Sequence, residues 1–164
     1  MKKLNADGRL IWVREYSGDE RAWLTGIAEA DNGAIAVVGW VSGQMVLGGH
    51  TLTTTTRTSD GFIATFDADG YPLGLHHVAG PYRHSVDGVI GQRGGDFLAC
   101  GTISPGDDDP GGTSLRARMW WVSGVTGQAA EYLADETVDT GYCHALAEVR
   151  FGDGPTELVM VGDV

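Results

Sequence analysis

Short apolar runs separated by clusters of Gly, Asn, Asp and Ser dominate this chain. Ala34-Ile35-Ala36-Val37-Val38 and Phe97-Leu98-Ala99-Cys100 are apolar without alternation, as are Phe62-Ile63-Ala64, Met119-Trp120-Trp121-Val122 and Leu158-Val159-Met160-Val161. A strand that is apolar on both faces must be covered on both faces. No segment sustains helical spacing over three turns, so the pattern predicts an all-β chain. Turn residues join the runs into hairpins. The first is Thr25–Ala30 with Ala34–Val41 around Asp31-Asn32-Gly33, where the Asn-Gly pair accepts positive φ. The second is Gly61–Phe66 with Tyr71–Val78 around Asp67-Ala68-Asp69-Gly70. Met119–Val122 with Gln128–Leu133 repeats it, and Arg9–Tyr16 is a single N-terminal counterpart strand.

These hairpins recur. Asn5-Ala6-Asp7-Gly8 returns as Asp67-Ala68-Asp69-Gly70, a shift of 62 residues. The same shift carries the turn glycines Gly18, Gly26, Gly33 and Gly39 onto Gly80, Gly88, Gly95 and Gly101, and Ile27 and Ile35 onto Val89 and Phe97. A third copy maps Asp69-Gly70 onto Thr126-Gly127, Val89-Ile90 onto Leu146-Ala147 and Gly101 onto Gly162, with Gly152-Asp153-Gly154-Pro155 as a lengthened turn. The units run 1–24 (one strand and a connection), 25–85, 86–140 and 141–164 (a first half). Four-stranded units of about 60 residues, each covered by its neighbours, predict the blades of a β-propeller. A β-sandwich is the alternative, but it needs neither the two-faced apolar strands nor the period.

The predicted strands number eleven, or about two and three-quarter blades, so the propeller is incomplete. The expectation is a segment of a longer protein, with Lys2-Lys3-Leu4 as the tail of a strand equivalent to Ala64-Thr65-Phe66. A second explanation joins the N-terminal strand to the two C-terminal strands of another copy, so that a homodimer closes a six-bladed ring.

Gly26-Ile27-Ala28, Asp31-Asn32-Gly33 and Val37-Val38-Gly39, followed by Asp60-Gly61-Phe62-Ile63-Ala64, carry a resemblance. Asp7-Gly8-Arg9-Leu10-Ile11-Trp12 extends it. The chain resembles the bacterial seven-bladed β-propeller repeat family over essentially its whole length. It departs where Gly74 and Glu131 replace the Trp expected at the equivalents of Trp12, and Thr126-Gly127 is similar to the turn of quinoprotein-type propellers. The resemblance implies a bacterial, secreted or cell-surface location and a non-catalytic interaction scaffold whose partner is a protein or a carbohydrate. The runner-up it leaves is a propeller enzyme, hydrolase or quinoprotein-like, completed by further blades.

Composition narrows the partners. The chain has 164 residues, one domain's length, with 26 glycines and a formal charge of −11. That charge repels nucleic acid and anionic lipid, and neither is expected as a partner. No run approaches the roughly 20 apolar residues of a membrane helix. Met1-Lys2-Lys3 opens like a signal peptide, but Leu4–Arg9 is polar and turn-like, so none is expected. Cys100 and Cys143 form no framework, and two buried thiols are the plainer reading against a single bridge.

The candidate chemistry is sparse. Asp107, Asp108 and Asp109 form the densest acidic cluster and the one calcium candidate, though without the alternating ligands and closing Glu of a calcium loop. A solvated loop is the plainer reading, and no other cofactor is expected. His76 and His77 point to opposite faces of a strand, and His84 lies beyond a turn, so zinc is disfavoured. Trp12, Trp23, Trp40, Trp120 and Trp121 suggest a carbohydrate platform but read first as core, with Trp120 and Trp121 plugging two layers. Glu29, Glu131 and Glu148 show no spacing that selects a catalytic pair. No catalytic residue is assigned. The loops Ser42–Ser59 and Ser104–Ser114 are expected to carry specificity, and the Thr-rich Thr51–Thr58 within the first reads as an exposed loop or edge strand.

Overall fold

The computed structural model describes residues 1–18, 21–47, 49–54, 59–80, 83–103, 116–132, 141–150 and 156–162. Among the described residues there are fifteen strands and no helix. In chain order these are β1 (Lys2–Leu4), β2 (Leu10–Val13), β3 (Ser17–Gly18), β4 (Arg21–Glu29), β5 (Ile35–Ser42), β6 (Gln44–Leu47), β7 (His50–Thr53) and β8 (Asp60–Phe66). Then follow β9 (Pro72–Val78), β10 (His84–Gly91), β11 (Phe97–Ile103), β12 (Arg116–Val122), β13 (Ala129–Tyr132), β14 (Ala145–Arg150) and β15 (Thr156–Val161). The chain is all-β. Two four-stranded antiparallel sheets, β4-β5-β8-β9 and β10-β11-β12-β13, follow chain order, and the hairpins β1-β2 and β14-β15 flank them. A small sheet, β3-β6-β7, lies to one side.

The strand expected at Arg9–Tyr16 is β2, and Lys2-Lys3-Leu4, expected as the tail of a strand, is β1, which pairs with β2 as a hairpin. The cause is the Asn5 side chain, whose Oδ1 accepts from the amides of Asp7 (3.1 Å) and Arg9 (2.8 Å) and closes the turn. Asp67 does the same with Asp69 (3.0 Å) and Tyr71 (2.8 Å). The β1-β2 register even repeats that of β8-β9. Lys3 pairs with Trp12 as Thr65 pairs with Gly74, and a bulge follows each.

The Ser42–Ser59 segment is likewise more than a loop, since it contains the β6-β7 hairpin. Met45, Leu47 and Leu52 are buried with Phe62 and Phe66, which anchors this hairpin to the core. Thr51 to Thr53 belong to β7, while residues 55–58 lie outside the described residues.

Three cores separate the sheets. Ala36, Val38 and Ile63 meet Val86, Phe97, Ala99, Trp120 and Val122 in the middle one. Ile35, Val37, Ala64 and Phe66, on the opposite face, meet Trp12. Leu98, Cys100 and Met119 meet Cys143 and Leu146. Strands β5, β8, β11 and β12 are thus covered on both sides, which is why their sequences lack alternation. Trp120 fills the middle core, but Trp121 is 40% exposed, because β14-β15 is only two strands wide. Trp121 therefore plugs no second layer.

Two spacings in the repeat acquire a physical cause. Gly39, Gly101 and Gly162 lie in strands or at a strand end, not in turns. A Cβ there would fall 2.0, 2.1 and 1.6 Å from the carbonyl oxygens of Trp23, Ser85 and Tyr142. Gly39 and Gly101 admit the backbone of the preceding strand, and Gly162 that of the segment leading into β14. At the other spacing, Trp12 lays its ring on Gly70 and donates from Nε1 to the Ala68 carbonyl (3.1 Å). Its equivalent, Gly74, touches the backbone of Gly127 directly, so no ring fits there.

The two cysteines are not free thiols. Cys100 on β11 and Cys143, just before β14, form a disulfide with Cα atoms 6.0 Å apart. The pairing follows from the sheet contact that places both, fully buried, in one core.

Candidate functional site

The strands that open each sheet, β4, β10 and β14, run past one another. The Thr25 hydroxyl donates to the Val86 carbonyl, tying β4 to β10. A Cβ on Gly88 would lie 3.3 Å from the Cα of Ala145, which places β14 beside β10. Bulges interrupt β4 between Leu24 and Gly26 and β10 between Val86 and Gly88. The residues inside them are Thr25 and Asp87.

The bulge turns the Asp87 carboxylate into a partly buried setting, where it accepts from the hydroxyls of Ser85 (3.0 Å) and Thr102 (3.2 Å). Desolvation raises its pKa above the ordinary carboxylate value; the two hydroxyls and the nearby His144 and Arg83 oppose this. Arg83 also lies 5.8 Å from the Trp40 ring centre, and Trp40 stacks on Trp23 at 6.3 Å with planes 7° apart. On the far side His144 stacks on Tyr142 at 5.9 Å. An aromatic pair, a guanidinium, a carboxylate and a second ring pair therefore follow one another across three sheets. Trp23, Arg83, Tyr142 and His144 are exposed.

Exposed aromatic faces stack on apolar faces of planar or cyclic ligands, while a carboxylate and a guanidinium bind hydroxyls. This arrangement is suited to holding a ligand. Hydrolysis of a glycoside would need a second carboxylate across the bond, about 5–10 Å from the first.

The residues singled out from sequence are scattered. Asp107, Asp108 and Asp109, and with them the Ser104–Ser114 loop, lie outside the described residues. His77 Nε2 lies 2.8 Å from the fully buried Asp60 carboxylate. Neighbouring His76 points to the other face, where desolvation first, and the charge of His77 second, lower its pKa. His84 is buried. Glu29 is paired with Lys3 (2.9 Å) and Glu131 with Arg118 (2.9 Å), while Glu148 lies on β14. The three glutamates occupy three different sheets.

Trp23, first read as core, is 64% exposed. Asp87, Arg83 and Tyr142 carried no motif. The available signal was Asp87 itself, a charged residue immediately before the repeating Gly88, where the first unit has Thr25. No protein-family model matches the chain, and no curated protein matches it.

Proposed function

We propose that this chain is a non-catalytic binding scaffold of the β-propeller class, acting at the bacterial surface or outside the cell, whose ligand is a glycan. The supporting observation is the line Trp23–Trp40–Arg83–Asp87–His144–Tyr142 across the openings of three sheets. Successive antiparallel sheets with cores between them support the propeller reading, because that architecture stacks four-stranded sheets face to face. The disulfide is compatible with an oxidising compartment.

In this reading the Trp23–Trp40 pair and Tyr142 stack against sugar rings, and Asp87 and Arg83 orient hydroxyls. Glycan-array screening followed by calorimetric titration of the best oligosaccharide tests it. Binding in the wild type, weakened at least tenfold in Trp40→Ala and in Asp87→Asn, is the expected result. An array without binders, or affinity unaffected by both substitutions, would overturn it.

A further inference from the structure

Strand β4 faces an open, largely apolar cleft of about 720 Å³, with Ala22, Leu24 and Ile27 on its wall and Val37, Phe62 and Phe66 deeper in. Leu24 and Ile27 are each 64% exposed. Their equivalents one repeat later, Val86 and Val89, are 0% exposed and half-buried. The difference is the sheet in front. Val86 and Val89 are covered by the Gly26, Ala28, Ala36 and Val38 face of β4-β5, whereas the sheet before β4 is only β1-β2 and has no such strands.

The chain carries that missing pair at its other end. In register, Ala145 and Val161 match Gly26 and Val38, and Ala147 and Val159 match Ala28 and Ala36. This face is also uncovered: Ala145 and Ala147 are exposed, as are Val159 and Val161, at 38% and 57%. Among the described residues, the sheet at one end is thus only β1-β2 and the sheet at the other only β14-β15. Each end shows exposed apolar side chains where its counterpart would pack, and contiguous exposed apolar side chains are the raw material of association surfaces.

Resting on the propeller reading above, we propose that a second copy of this chain fills the cleft. Strand β15 of one copy pairs antiparallel with β1 of the other, giving the four-stranded sheet β14-β15-β1-β2. The register follows β5-β8, in which Ala36 faces Thr65 and Val37 faces Ala64. It sets Val159 opposite Lys3 and Met160 opposite Lys2. Two such junctions close a two-fold ring of six sheets, within the four to eight that propellers use. Backbone pairing removes both open edges, and Leu24 and Ile27 meet Ala145 and Val161.

Light scattering coupled to size exclusion tests this on the wild-type chain and on Ile27→Glu and Val161→Glu. Both residues are largely exposed in the single chain, so each variant keeps most of its folded-state packing, and far-UV circular dichroism checks that. The expected result is a mass of two chains for the wild type and of one chain for each variant. In addition, Lys2→Cys/Met160→Cys should give a covalent two-chain species on mild oxidation. A one-chain mass for the wild type overturns the proposal and assigns the cover of the cleft to something other than a second copy. A two-chain mass that survives both substitutions also overturns it. The glycan surface lies within one chain, so titrating the Val161→Glu variant separates the readings: loss of assembly with retained binding reports on the junction alone.

Discussion

Reducing the Cys100–Cys143 bond perturbs a single contact with a calculable effect. The bond joins residues 43 apart in sequence and clamps β11 to the entry of β14. Chain-entropy loss in the unfolded state for a loop of this length gives about 4 kcal/mol at 25 °C. For a chain of 164 residues that corresponds to a fall of roughly 8–16 °C in the unfolding midpoint. The assay is urea and thermal unfolding of oxidised and reduced wild-type chain, followed by tryptophan fluorescence, with thiols titrated in the denatured oxidised sample. Zero titratable thiols and a stability difference of about 4 kcal/mol are expected. Two thiols per chain would refute the bond itself. A difference below about 1 kcal/mol with the bond intact would refute the entropic argument, and would mean that the unfolded ensemble already holds these segments together.

Three further outcomes follow from the packing. Trp12→Ala should lower stability by about 3–5 kcal/mol in urea unfolding, since the ring covers Gly70 in the core, whereas Trp12→Phe should lose mainly the bond to Ala68, about 1 kcal/mol. Gly101→Ala should cost about 3 kcal/mol, the upper end of overpacking, because the methyl meets the Ser85 carbonyl; Gly8→Ala, with open space around it, should cost only the left-handed backbone strain of about 1–2 kcal/mol. His76 and Asp87 act in opposite directions with pH. His76 binds its proton less well when folded, so its contribution is present above pH 6.5 and is lost as pH falls through its lowered folded value. Asp87 binds its proton better when folded, so its contribution is largest below pH 3.8 and is lost as pH rises through its raised value. Stability measured from pH 8 to 4 should therefore fall less steeply in His76→Gln than in wild type, and Asp87→Asn should remove the loss on the alkaline side of Asp87.

Stability and the proposed binding role make opposite demands on Asp87. Asp87 sits in a bulge, partly desolvated, where an amide would be easier to accommodate. A residue held against its own solvation is a common mark of a functional position. Asp87→Asn keeps an oxygen for Ser85 and Thr102, so a variant that is at least as stable as wild type but binds a glycan more weakly would fit the proposed role.

The sequence by itself determined the strands of the two four-stranded sheets and the repeat that relates them. Unbroken apolar runs such as Ile35–Val38 and Phe97–Cys100 require cover on both faces, and β5 and β11 receive it from neighbouring sheets. The turns at Asn5 and Asp67 were legible because short polar side chains close them locally. Tertiary structure alone decided the rest. Gly39 and Gly101 are glycines because another strand's carbonyl occupies the place of a Cβ, a contact between residues that no local pattern encodes. Whether Cys100 and Cys143 bond depended on two segments meeting in one core, and Trp121 stayed exposed because the facing sheet is two strands wide. The alignment of Trp40, Arg83, Asp87 and Tyr142 arises only when three strand openings, far apart in the chain, come side by side. Periodicity records what each strand buries, but not which residues of different strands share an end.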